Sequence, residues 1–92
     1  MKYLKVRWVH TFHDEPALIY SELDDLRFEK RKVEVFPSGE YGYASDKKTK
    51  GTTRLSENEI PMEVEISCDP QFQIEATTKD EFESVWLKAT QR

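Results

Sequence analysis

Between residues 3 and 44 the chain is a nearly unbroken series of short strand-like runs, and this limits the fold more than any other feature. The runs cover residues 3–10, 17–23, 28–36 and 40–44. In the first, Leu4, Val6 and Trp8 alternate with Lys5 and Arg7, the period-two pattern of a strand with one buried face. The second has apolar residues on both faces (Ala17, Ile19 and Leu23 against Leu18 and Tyr20) and is expected inside the sheet. The third sets Val33 and Val35, after Glu29 and Arg31, against a face where Phe28 and Phe36 flank Lys30, Lys32 and Glu34. Its charged middle predicts a solvated face. Pro37-Ser38-Gly39-Glu40 supplies a turn into the fourth run, where Gly42 between Tyr41 and Tyr43 marks a bulge or a close approach.

A small sheet of this kind needs a second layer. The C-terminal segment provides it. Thr78 with Glu81 three residues on is a capping-box pattern, and Lys88 and Arg92 suit the negative end of a helix. Phe82, Val85, Trp86 and Ala89 share one helical face, with Trp86 read as the core anchor. Residues 45–54 read as a mobile polar loop. Residues 61–67 fit a strand or a helix, and Phe72 with Ile74 fits a last short strand. The expected fold is one α+β domain over residues 1–92: a four- or five-stranded, mostly antiparallel meander packed by a C-terminal helix. The face away from that helix is expected to carry Lys5, Arg7, Glu22, Lys30, Lys32 and Glu34 in some combination.

Charge is unevenly spread within the net −4. Residues 1–37 are neutral, residues 38–56 carry +2, and residues 57–92 carry −6. An acidic C-terminal third argues against nucleic acid as a partner and for a basic protein. Cys68 is the single cysteine, which excludes an internal disulfide and reads as a small buried residue. No leader-like apolar run opens the chain and no window is long enough to span a membrane, so a cytoplasmic protein is expected.

Groups that could carry chemistry are sparse. His10, His13 and Asp14 lie close together, but in a loop, without the helical spacing that puts two ligands on one face. A structural His10 is the expected reading, and a hydrolase using His10 and Asp14 is the weakest alternative. No metal site and no cofactor is expected, and the balance leans away from an enzyme. Basic and aromatic residues do gather on the strands. Arg7, Trp8, His10, Tyr20 and Arg31 are therefore candidates for contacting a small ligand or a nucleotide.

The motifs Lys2 to His10, Asp14-Glu15-Pro16, Leu18 to Asp24, Phe28 to Phe36 and Gly42-Tyr43 resemble a family of small single-domain bacterial proteins of unknown function. The resemblance extends through Ile60-Pro61, Asp69 to Phe72 and Asp80-Glu81-Phe82 with Val85-Trp86, and is strongest over residues 2–45. Family members read as more helical after Pro61, whereas this chain has Met62-Glu63-Val64-Glu65-Ile66. The resemblance implies no mechanism. Small acidic bacterial domains of this style are often immunity or interaction proteins. The leading expectation is thus a non-enzymatic protein-binding domain, an immunity or antitoxin-like protein for a basic toxin. Glu22, Asp24, Asp25, Tyr41 and Tyr43 are its exposed contact candidates, and free strand edges would also suit a homodimer.

Overall fold

The computed structural model describes residues 1–91, so Arg92 lies outside the described residues. The elements are β1 (Lys2–Trp8), β2 (Leu18–Leu23), β3 (Glu29–Val35), β4 (Tyr41–Ser45), β5 (Thr49–Lys50), α1 (Glu63–Ile66), β6 (Phe72–Glu75) and α2 (Lys79–Thr90). They form a six-stranded antiparallel sheet in the order β5-β4-β3-β2-β1-β6, with α2 on one face. The α+β class and the interior position of β2 are as expected, and the strands number one or two more. β1 to β5 run as a meander. A long connection over residues 51–71 then returns the chain to the β1 edge, where β6 pairs.

The register of that last pairing follows from matched chemistry on both faces. Trp8 opposes Phe72 and Val6 opposes Ile74, while Lys5 opposes Glu75 and pairs with it across the other face. Glu75 also holds Arg7. Cross-strand pairs of this kind each contribute a few tenths to about 1 kcal/mol, which lets a four-residue edge strand hold.

The helix lies on the face that the alternation in β1 marks as charged. Cross-strand pairing places Tyr3, Lys5, Tyr20, Glu22, Arg31, Val33 and Tyr43 on one side of the sheet. Tyr20, Val33, Phe82 and Ala89 form the buried cluster there, with Leu18, Val35, Tyr41, Val85 and Trp86 packed around it. Lys5, Arg7 and Glu22 therefore belong to the helix side and not to the opposite one. The physical reason is that their counter-ions lie on that side: Glu75 of β6 takes Arg7, Arg31 takes Glu22, and α2 supplies the rest. Glu81 takes Lys5 at 2.9 Å and Glu83 takes Arg31 at 2.7 Å, so charged flanks and an apolar centre dock together. The Thr78 side chain accepts the Glu81 N–H at 3.1 Å, as the capping pattern predicts, while the Glu81 carboxylate turns to Lys5 and Thr77.

The opposite face is not solvated. Leu4, Val6, Leu23 and Ala44 are buried beneath the strap of residues 51–71, and the charges of β3 are bonded into it. A bulge shifts the register between Glu22 and Leu23, so Glu29 pairs with Leu23 and turns to the face away from Arg31. There its carboxylate, 1% exposed, accepts from the Ser21 hydroxyl at 2.7 Å and from the Ser56 N–H at 2.8 Å, with Lys32 at 3.1 Å. Lys32 also donates to the Arg54 carbonyl. A carboxylate can be buried this deeply because each oxygen finds a donor.

Residues 45–54 are correspondingly more ordered than their composition suggests. The Ser45 hydroxyl oxygen accepts from the Lys47 and Lys48 N–H groups, closing a turn into β5. Thr53 is then fully buried, and its hydroxyl donates to Glu34 at 2.7 Å. Gly42 is the close approach: a Cβ there would overlap the Thr53 Oγ1. Gly42→Ala is expected to lower stability by about 1–3 kcal/mol, the usual penalty for overpacking. Combining it with Thr53→Ala should recover part of that loss in a double-mutant cycle read by chemical denaturation. Strict additivity of the two substitutions would show that they do not clash.

Candidate functional site

The first candidate surface follows from where the acids go. In the sequence they concentrate after residue 57, but α2 consumes its share. Arg31 forms a two-pronged pair with Glu22 (2.8 and 2.7 Å) and another with Glu83 (3.0 and 2.7 Å). The Tyr3 hydroxyl donates to Glu22 at 3.0 Å, and the guanidinium lies over the rings of Phe82 and Trp86. The hydrogen bonds from Arg31 hold the carboxyls of Glu22 and Glu83 below the usual range, and Lys5 does the same for Glu81. The guanidinium is stabilised in its charged form by the same two carboxylates. These groups build the fold. They are not an open acidic face.

The densest run of free acids lies in the strap. Residues 57–69 hold five carboxylates and no basic residue, and all five are exposed. Among the described residues Glu57, Glu59 and Glu65 enter no ion pair, and Glu63 pairs with Arg27 at 2.8 Å. Arg27 fixes the strap to the β2–β3 turn. It adopts a left-handed backbone (φ 68°), a costly conformation for a non-glycine residue. Beside the Glu63 pair, three contacts to residues 60–61 hold it: the guanidinium donates to the carbonyls of Ile60 (2.8 Å) and Pro61 (2.7 Å), and the Arg27 carbonyl accepts the Ile60 N–H (2.8 Å). The Asp24 carboxylate accepts the N–H groups of Phe28 and Leu26, which keep it below its ordinary pKa and complete the turn. Around this junction three apolar side chains stand out in solvent: Leu26 (72% exposed), Met62 (47%) and Val64 (71%).

The residues singled out from sequence scatter. Of the contact candidates, Asp25 is exposed beside Leu26, whereas Asp24 is committed to the turn. Glu22 is buried, contrary to its expected exposure, because Arg31 and Tyr3 satisfy it beside α2. Tyr41 and Tyr43 are half-buried against the core, with Tyr43 edge-on to Trp86. Of the ligand candidates, Tyr20 is buried under α2, Arg31 is saturated, and Arg7 is exposed on Glu75. Trp8 faces the other way, against Phe72 and His10, with its indole N–H buried and without an acceptor among the described residues. The sheet face thus does not gather them into one site.

Both ring nitrogens of His10 are engaged within its own loop. Its Nε2–H donates to the Pro16 carbonyl at 2.7 Å and its Nδ1 accepts the Phe12 N–H at 2.9 Å, which fixes the tautomer. Cys68 is exposed at the end of α1, since that helix is too short to bury it. Among the described residues no group of three or more His, Cys, Asp and Glu is arranged to hold a metal. No helix among the described residues is long and apolar enough to cross a membrane. Leu26, Met62 and Val64 were not legible as a surface. Isolated apolar residues in polar text look like core, and only the Arg27 anchorage brings them to one place.

A six-stranded sheet clamped between an amphipathic helix and an anchored acidic strap defines a small α+β domain. The chain belongs to the DUF6881 family, a domain of unknown function, which matches residues 2–91. No curated protein and no solved structure matches it.

Proposed function

We propose that this is a protein-binding domain that acts without catalysis on a partner with a basic, partly apolar surface. The supporting observation is the junction of the β2–β3 turn and the strap, where Leu26, Met62 and Val64 stand exposed among the unpaired carboxylates of residues 57–69. Exposed apolar side chains rimmed by charge of one sign are how interfaces combine desolvation with steering. The specific form of this reading is an immunity-type role, in which the acidic strap covers the cationic working surface of a toxin.

The test is retention of a partner from a lysate of the native host on the tagged full chain, with and without added salt. A basic protein should be retained, be released as salt rises, and be lost from a Glu59→Lys/Val64→Glu/Glu65→Lys variant. An Asp80→Asn control on α2 should keep it. Retention indifferent to the strap substitutions, or no basic protein retained at all, would overturn the reading.

A further inference from the structure

At the end of the sheet away from the strap junction, three loops enclose a cleft of about 390 Å³, within the size range of small-molecule sites. Its walls are the β1–β2 loop, the β3–β4 turn and the turn after β5. Each wall is pinned. His10 ties the first loop to itself through Pro16 and Phe12, and the Ala17 N–H donates to the Val35 carbonyl at 2.8 Å. The second closes through the Phe36 N–H to the Glu40 carbonyl at 2.9 Å, with Gly39 left-handed at φ 90°. The third is locked by Thr53 seated on Gly42 and bonded to Glu34. The cleft is therefore preformed.

Its lining differs from the rest of the molecule. His13, Asp14, Glu40 and Lys50 all line it, and among the described residues none of their four side chains enters an ion pair or a hydrogen bond, the Glu40 contact to the Ser38 hydroxyl being through its backbone N–H. Phe36 and Tyr41, both partly buried, supply an apolar side. On β1, β3 and β6, Lys5, Arg7, Arg31, Lys32 and Glu75 are by contrast bonded in pairs and networks. Here charges of both signs converge on one small space without satisfying each other.

We infer that the cleft binds a zwitterionic small molecule of the amino-acid class with an apolar side chain. Asp14 and Glu40 suit an ammonium group, Lys50 suits a carboxylate, and Phe36 with Tyr41 suits the apolar body. Two carboxylates against one lysine repel a phosphate, and the lysine opposes a simple cation. A ligand carrying both charges is the one the lining complements. This inference does not depend on the strap surface.

The experiment is titration of the full chain followed by proton–nitrogen correlation spectra. The probes are L-phenylalanine and L-leucine, beside the half-ligands phenethylamine and hydrocinnamate and inorganic phosphate. The amino acids should shift amides of residues 38–42 and 50–52, with each half-ligand at least about tenfold weaker. Lys50→Ala should weaken L-phenylalanine while leaving phenethylamine unchanged, and Asp14→Asn/Glu40→Gln should do the converse for hydrocinnamate. The same spectra report whether each variant is folded, and the wild-type shift map needs no variant. No response to either amino acid, binding indifferent to Lys50, or preferential binding of phosphate would overturn the assignment.

Discussion

Replacing Phe82 with alanine is expected to cost about 3–5 kcal/mol of unfolding free energy, the range for truncating a fully buried aromatic. Phe82 has no exposed surface. Its ring meets Tyr3 at 5.5 Å between centroids, and it joins Tyr20, Val33 and Ala89 in the cluster that couples α2 to the sheet. Collapse cannot easily fill the space, because β2 and β3 beneath it are fixed by pairing on both sides. Trp86→Ala should cost clearly less. That ring sits at the rim, stacked on Phe82 at 6.4 Å and touched by Tyr43 and Arg31, and it is only partly buried. A domain of this size has a total stability of about 5–15 kcal/mol, so the Phe82 variant should sit near the edge of folding. Urea unfolding with an unchanged slope is the measurement. A larger loss for Trp86→Ala would show that the rim, and not the centre, holds the helix.

Local chemistry explains what could be read before the structure. The period of two in β1, the breakers at Pro37 and Gly39 and the Thr78 cap each act within a few residues, and each element appears where they point. The alternation of Leu4, Val6 and Trp8 also identifies a buried face correctly. What it cannot say is which layer covers that face. The covering layer is the strap, whose one patterned stretch, residues 61–67, fits a strand or a helix and points to no layer, and the helix goes to the side where Lys5 and Arg31 meet Glu81 and Glu83. The bulge at Glu22 and Leu23 is equally silent, because one inserted residue leaves no compositional mark. Yet it sends Glu29 to the strap and Arg31 to the helix. Long-range charge pairing decides the layering, and it also removes the acids of α2 from the surface that a count of charges suggests. For the same reason Asp25 remained available as a contact and Glu22 did not.

Arg31→Met is expected to lower stability by about 3 kcal/mol at neutral pH, toward the low end for removing one partner of a buried pair. The low end applies because the Arg31 side chain keeps 21% of its exposure, while Glu22 keeps 10%. Without Arg31, Glu22 would be left beside the apolar edge of α2 with only the Tyr3 hydroxyl as a donor among its described side-chain contacts. The dependence on pH separates this account from simple loss of packing over Phe82 and Trp86. In the native protein the Arg31 hydrogen bonds depress the Glu22 pKa. The pair's contribution is therefore fully present above the unfolded carboxyl value of about 4.3 and is lost as pH falls through the lower folded value. In the methionine variant the largest influence lowering the Glu22 pKa is gone, and burial, which raises it, is opposed only by the Tyr3 hydrogen bond and the charge of Lys79. The pKa therefore moves up, and protonation relieves the buried charge as pH drops from neutral. The difference between the two proteins should thus be largest near pH 7 and shrink toward about pH 4. Adding Glu22→Gln to Arg31→Met should restore part of the loss at neutral pH, since it removes the unpaired charge while keeping an acceptor for Tyr3. Thermal unfolding of the three proteins across that range tests the argument, and a pH-independent difference would assign Arg31 to packing instead.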